Sequence, residues 1–451
     1  MKVITSVAAV VLMASGIGRS EEVGVLVEHF ELGKGEATRL LLEDEDPVAL
    51  RAAMDRSGAK LRDLAYLLAV DGRKSNAQSI VEYLYPTEWD PAQVFWEIAA
   101  DVEPGMDLKV PAHPVSYEAK NLGNTLTVSG IDKKSDPSAA SLSSELSRLL
   151  VERRFGKEEL GIVQPEFEVA KIDSDPGFDH GQPILLGVSS PREIGRQDQR
   201  VFAFATPFVR HHAEENSTAR ETRADVEPFA HPEPGAQADV LGVSIGVELI
   251  EVAQSQVAGL LAGVPHRLGE NSQVREKAEK LIAAGQASVF ASGTLKSTIG
   301  QRARIEPVHE FIYPMEYNPP VLVPKLTAEL IASGAPLKTP AVPNAFDVRN
   351  LGMTIEAEPT LVEVDGVEMI ELTIAPEFVD LARQIHWGKD EAVSKLPVFR
   401  TLRCNTKFRV MPGDEALVAI FTPRKKADGA PDGDRRILLT VWVELARVDQ
   451  P

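Results

Sequence analysis

Four sets of residues in this chain could do chemistry, and each has a plainer reading beside it. His211-His212 and His231 supply three imidazoles, the number of protein ligands a catalytic zinc needs. The third sits in the Pro-rich run His231-Pro232-Glu233-Pro234 and not on a rigid element, so the trio reads as surface histidine and no metal is implied. Cys404 is the sole cysteine, lies in an alternating apolar stretch and has no base close in sequence, which makes it a small core residue before it is a nucleophile. Glu82 and Glu310 occupy the same place in two similar stretches; each is either a functional acid or the polar face of a strand paired with a nearby arginine. The aromatics Tyr83, Tyr85 and Trp89, and Phe311, Tyr313 and Tyr317, could hold a sugar or a peptide, since Tyr and Trp favour interfaces. Core packing at a strand end is the competing reading, because aromatics bury the most area per residue. Tyr85, Glu88, Trp89, Tyr313, Glu316 and Tyr317 are therefore the candidate interaction surface. No phosphate-cradling Gly-rich loop, paired-His helix or Gly-x-Ser-x-Gly elbow occurs, so the residues imply neither an enzyme nor a cofactor.

Those aromatics lie in a stretch the chain writes twice: Ile-Val-Glu-Tyr-Leu-Tyr-Pro-Thr-Glu-Trp-Asp-Pro from Ile80 to Pro91, and Val-His-Glu-Phe-Ile-Tyr-Pro-Met-Glu-Tyr-Asn-Pro from Val308 to Pro319. The match extends in one register. Val27 to Leu32 answers Val247 to Val252, each reading as a strand that runs into a short helix ending near Leu40-Leu41 and Leu260-Leu261. Asp46-Pro47 begins a second helix that Gly58 stops, and Asn271 and Gly285 do the same later. Lys60 to Val70 has helical spacing, yet its counterpart Ala287 to Leu295 is rich in Ser, Thr, Gly and Val, so strand is expected for both; Ser141 to Glu152 is assigned to strand on the same ground. Asp71-Gly72 and Ile299-Gly300 read as hairpin turns, and the proline of each Tyr-Pro should end its strand. Two long Pro-rich connections then rejoin at Asn121-Leu122-Gly123 and Asn350-Leu351-Gly352, and Ser190-Pro191-Arg192 answers Thr422-Pro423-Arg424.

The expected fold is α+β and predominantly β: two tandem repeats, 23–212 and 241–448, each a twisted sheet with one or two short helices, joined by a Pro/Glu-rich linker at 213–240. A chain of 451 residues with 43% hydrophobic and 25% charged residues can bury that much core. A net charge of −19 argues against nucleic acid as partner, because binding phosphates takes clustered Lys and Arg. Residues 1–18 carry one positive charge, a short apolar run and then small residues, the pattern of a secretory signal. The longest strand candidates, Lys395 to Val410 and Arg436 to Leu445, carry Arg400, Arg403, Lys407, Arg409 and Glu444, which suits an aqueous compartment better than a lipid-facing barrel.

The second repeat resembles the outer-membrane portion of bacterial secretins, and more closely a group of exported secretin-like proteins. Val243 to Val252 looks like the secretin opening strand, Gly300-Gln301-Arg302-Ala303 like the Gly-Gln-x-Ala turn, and Val398-Phe399-Arg400-Thr401 through Gly413-Asp414-Glu415 like the stretch before the secretin glycines. Tyr313-Pro314-Met315-Glu316-Tyr317 and its earlier copy look like the signature of the secretin-like group. The Gly-Gly-Leu that follows in secretins is replaced by Ala419-Ile420-Phe421-Thr422-Pro423, and the gate segment is absent. The resemblance implies a secretin-like fold, export to the periplasm or outer membrane, and protein partners or self-association without a membrane span once the signal is removed. A carbohydrate- or peptide-binding module using the Pro-rich aromatic loops is the alternative.

Overall fold

A computed structural model of the protein describes residues 22–210 and 241–447, apart from 44–45, 71–72, 95–96, 101, 103–108, 130–140, 157–160, 176–180, 192–197, 266–271, 365 and 427–428. The signal at 1–18, His211-His212, the linker at 213–240 with His231, Arg192, the Asn271 cap and the Asp71-Gly72 turn lie outside the described residues.

The chain is predominantly β, with a few short helices. A first run comprises β1 (Glu22–Gly33), α1 (Lys34–Glu43), α2 (Pro47–Arg56), β2 (Lys60–Val70), β3 (Ser75–Asp90), the two-residue strands β4 (Gln93–Val94), β5 (Glu97–Ile98) and β6 (Lys109–Val110), then β7 (His113–Ser129), β8 (Ser141–Phe155), β9 (Ile162–Ser174), β10 (Ile184–Ser189) and β11 (Gln199–Arg210). A second run comprises β12 (Leu241–Ala253), α3 (Val257–Leu261), α4 (Val274–Ala283), β13 (Ala287–Thr298), β14 (Ala303–Ile305), β15 (Val308–Asn318), β16 (Lys325–Leu326), α5 (Ala328–Ala332), β17 (Val342–Val364), β18 (Val367–Ile374), β19 (Glu377–Trp387), β20 (Ser394–Val410), β21 (Glu415–Phe421) and β22 (Arg435–Arg447).

Both runs feed the same two sheets. The eight-stranded sheet has the order β10-β11-β1-β2-β21-β22-β12-β13, and the ten-stranded sheet β14-β17-β18-β20-β3-β7-β8-β9, with β15 on β17 and β19 on β17 and β20. Strand pairs match between the runs: β1 takes β2 and β11 as β12 takes β13 and β22, and β3 takes β7 as β15 takes β17. Registers match as well, with Tyr85 opposite Glu118 and Ile80 opposite Gly123, and Tyr313 opposite Asp347 and Val308 opposite Gly352. The main core fills the space between the sheets, drawing Leu67, Val247 and Val441 from one and Leu126, Leu402 and Phe408 from the other. Helices α1 and α2 cover the far side of the first sheet through Leu40, Leu50 and Met54 against Phe30, Phe202 and Phe204.

Local chemistry explains the elements. Asp46 caps α2 by accepting from the backbone N–H of Val48 and Ala49 at 3.2 and 3.3 Å, Pro47 needs no N–H partner at the first helical position, and Gly58 ends the helix region at φ +74°. β2 is a strand despite its helical spacing, because every residue from Asp63 to Val70 is buried. A strand buried on both faces carries apolar residues on both and loses the period-two alternation. β8 is likewise a strand.

Two expectations fail. Ile299-Gly300 does not close a hairpin: β13 pairs with β12 while β14 pairs with β17, so the turn carries the chain from one sheet to the other, and the passage from β2 to β3 does the same. The Tyr-Pro prolines do not end their strands. Each is followed at once by a bulge, between Pro86 and Glu88 and between Pro314 and Glu316, after which pairing resumes as far as Asp90 and Asn318. The prolines keep their places in register, Pro86 opposite Tyr117 and Pro314 opposite Phe346, and the residues left unpaired are the next ones, Thr87 and Met315.

The glycines of the two Asn-Leu-Gly motifs are required by close approach. Gly123 (φ +146°) and Gly352 (φ +131°) pass so near the neighbouring strand that a Cβ would lie 2.1 Å from the Ser79 carbonyl oxygen or 2.5 Å from that of Pro307. Gly123→Ala and Gly352→Ala should each cost at least about 1–3 kcal/mol, read as a lowered urea midpoint, whereas Gly300→Ala, with nothing within 4 Å, carries only its φ strain.

Candidate functional site

The candidate surface residues fall into two groups. Tyr313 and Tyr317 are buried in a second core that also holds Tyr83, Tyr117, Trp387 and Phe399, so it is built from both runs. Tyr85 and Trp89 are half-buried, and Glu88 and Glu316 are exposed. Tyr85 and Tyr313 do the same job twice. Phe167 meets Tyr83 and Tyr85 edge-on at 6.1 and 5.3 Å, and Phe399 meets Phe311 and Tyr313 at 6.0 and 5.3 Å. Tyr85 donates to Glu118 and Tyr313 to Asp347, both at 3.3 Å. Burial, and then the Asp347 carboxylate, push the Tyr313 hydroxyl up to about 12, so it stays a donor at neutral pH. Tyr317 donates to the Lys395 carbonyl at 3.0 Å and packs edge-on against His113 and Tyr117. The buried indole N–H of Trp89 finds no acceptor among the described residues.

A polar site that sequence reasoning missed joins the two runs. β2 pairs with β21 through Tyr66–Ile420 and Leu67–Ala419, and β3 pairs with β20 from Tyr83–Val398 to Asn76–Asn405. Between these ladders the Thr422 hydroxyl accepts from the Leu64 N–H at 2.8 Å and donates to the Leu64 carbonyl at 2.9 Å, and Ser79 donates to the Thr422 carbonyl at 2.6 Å. Arg424 donates to Asp63 at 2.7 Å and to the Ser79 carbonyl at 3.1 Å, and Asn124 donates to the other Asp63 oxygen at 2.8 Å. Asp63 and Arg424 are essentially buried. A buried ion pair is tolerable when its lone pairs and protons are satisfied, as these carboxylate oxygens are. Glu82 adds a bridge nearby, accepting from Thr401 at 2.9 Å and pairing with Arg349, so this acid of the repeated motif is spent on structure. Thr422-Pro423-Arg424 was visible in the sequence only as a marker of register.

Other reactive groups are likewise committed. Cys404 is fully buried and burial raises its thiol pKa, which keeps it protonated and inert. Among the described residues no three His, Cys, Asp or Glu side chains cluster as metal ligands. A shallow cleft of about 310 Å³ is lined by Arg275, Glu276, Glu279, Asp414, Glu415 and Glu444. Four cations of β20 are paired across strands: Arg400 with Asp380 at 2.9 Å, Arg403 with Glu377 at 2.7 Å, Arg409 with Glu371 at 2.9 Å, and Lys407 with Glu371. No described helix is long and apolar enough to cross a membrane.

No family model and no curated protein matches the chain. Similar solved structures are secretins, the family its motifs resemble. They include the type II secretin GspD of enteropathogenic Escherichia coli (8% identity, 59% of this chain and 80% of that one, TM-score 0.23), the competence-pilus secretin PilQ of V. cholerae (12%, 58% and 69%, TM-score 0.23) and the β-barrel of InvG from the Salmonella injectisome (10%, 68% and 89%, TM-score 0.23).

The joint generates two expectations. Arg424→Ala strands the Asp63 carboxylate and should cost about 3–5 kcal/mol, whereas Asp63→Leu with Arg424→Met should recover most of it, measured by equilibrium denaturation of the single and double variants. His29 lies opposite Asp63 in the β1–β2 ladder, and burial lowers its pKa despite the nearby carboxylate. Folded, it stays neutral; unfolded, it returns to about 6.5, so protonation favours unfolding. Its contribution is complete above that value and is lost as the pH falls below it. Wild-type stability should therefore decline between about pH 7 and about pH 5, and His29→Gln should flatten that decline.

Proposed function

We propose that the chain is a tandem duplication of one secretin-like unit, 23–212 and 241–448, carried out of the cytoplasm by the leader at 1–18 to the periplasm or the outer membrane. There it acts through protein contacts and not through chemistry, as an accessory or structural part of a secretion-type assembly. The observation that carries this reading is the use made of polar and aromatic groups. Thr422, Arg424, Asp63, Glu82, Tyr313 and Tyr317 hold strand to strand across the joint and its core, and none of them lines the cleft at Arg275 and Glu415. The motif resemblance of the second repeat supports the envelope location.

Membrane association comes through partners. The cation-bearing faces of β20 would each cost about 2–4 kcal/mol per Arg or Lys at mid-membrane depth, and here they form cross-strand ion pairs suited to water. The unpartnered indole N–H of Trp89, with Glu88 exposed beside it, is the observation on the side of a carbohydrate- or peptide-binding module.

Fractionation separates location from mechanism. The full-length chain should appear in the periplasmic or outer-membrane fraction, and the chain lacking its first 18 residues, the length of the signal-like stretch, should remain in the cytoplasm. Purified protein added to vesicles loaded with a quenched dye should leave the dye inside. Stepwise dye release, or resistance to carbonate extraction, would restore a membrane channel as the function.

A further inference from the structure

Arg436 is the largest side chain that is fully sealed from solvent among the described residues. It sits near the start of β22, opposite Val252 on β12, and the residue after it, Ile437, lies opposite Phe421, the neighbour of Thr422 in the joint. Its guanidinium is used on one side only. Nη1 donates to the carbonyls of Asp432, Gly433 and Arg435 at 3.1, 3.2 and 2.5 Å, which fixes the group in the turn before β22. Nε and Nη2 form the opposite edge, the fork whose two parallel N–H bonds suit a single acceptor. Both are buried, and neither finds a partner among the described residues.

The charge is as unmatched as the hydrogen bonds. Asp63 and Arg424 are near enough for Arg436 to feel both, but they act on it in opposite senses and already satisfy each other at 2.7 Å. Asp432 and Asp434 attract it too, yet the Asp432 carboxylate accepts from the Asp434 N–H at 3.3 Å and faces Arg435 at 3.8 Å, while Asp434 is exposed. Glu251 is taken by Arg435 at 2.7 Å. Burial lowers the Arg436 pKa to about 10, which still leaves it charged at neutral pH. The buried set of Asp63, Arg424 and Arg436 therefore holds one positive charge in excess, and an unpaired buried charge is costly. We propose that the free fork of Arg436 binds a small monovalent anion, a halide or a planar oxyanion the size of nitrate, closed into the fold beside the joint. Two parallel donors match one such acceptor, and its single charge cancels the single excess. Water would fill the donors and leave the charge uncompensated. Because Arg436 is 0% exposed, the ligand is an ion the chain can close over and not a group carried by a macromolecule.

The turn and strand that shape the fork exist only in the folded chain, so the ion binds the folded state and stabilises it by mass action. The test is urea unfolding of the purified full chain as chloride replaces gluconate, an anion too bulky for a sealed site, at constant sodium and constant ionic strength so that screening does not change. The midpoint should rise with chloride, and the unfolding equilibrium constant should fall about tenfold for each tenfold increase once the site is nearly full, the dependence expected of one ion per chain. Bromide and nitrate should act in the same way. Arg436→Met should abolish the dependence, whereas Arg435→Met, at the exposed neighbour that pairs with Glu251, should keep it. Crystals grown in bromide should show an anomalous peak within hydrogen-bond reach of both Nε and Nη2, a readout that decides the matter if Arg436→Met does not fold. Equal midpoints in chloride and gluconate, a dependence that survives Arg436→Met, or a bromide crystal with no peak at the fork would overturn the proposal and leave water as the occupant.

Discussion

A sheet edge is a row of backbone donors and acceptors that must find partners, and the architecture of this chain follows from where its edges find them. Neither run of elements builds either of the two large sheets alone. Each supplies part of both, and the parts meet where β2 takes β21 and β3 takes β20. The ladder between β3 and β20 spans eight residue pairs, against two between β2 and β21. Register in the shorter ladder must therefore be set by something besides the ladder, and Thr422 and Arg424, reaching Leu64, Ser79 and Asp63, do that. An ion pair buried this deeply adds little net stability but penalises every misplaced register, because a slip leaves a charge unpaired.

How much of this was legible in the residues depends on the range of the interaction. Short-range features were: the Asp46-Pro47 start of α2, the strands that carry the doubled Tyr-Pro motif, and the strand nature of β2, which only its counterpart β13 could reveal because burial on both faces hides the alternation. The turn after β13 was misread because a two-residue turn looks alike whether it closes a hairpin or changes sheets; what distinguishes the two is the partner strand, which local sequence does not encode. The joint was illegible for the same reason, with Asp63 and Arg424 lying 361 residues apart.

The candidate surface residues show the same limit from the other side. Tyr, Trp and Glu flanking a proline can mark either a binding loop or the last turns of a packed strand, and composition does not choose. The structure sends Tyr313 and Tyr317 into a core and leaves Glu88 and Glu316 in solvent, on bulges whose extra residue re-aims the strand. The two long connections that follow are tied together: β5 and β16 pair in parallel, with Lys325 reaching Glu97.

The buried thiol has a consequence of its own. Cys404 is on β20, whose neighbours are β3 of one run and β18 and β19 of the other, and its side chain lies in the core between the sheets. A thiol reagent can reach it only when that core opens, so the labelling rate of the unmodified protein reports the population of open forms. Because β20 belongs to the joint as well as to its own run, that single clock distinguishes a chain whose halves part before they melt from one in which parting and melting are the same event.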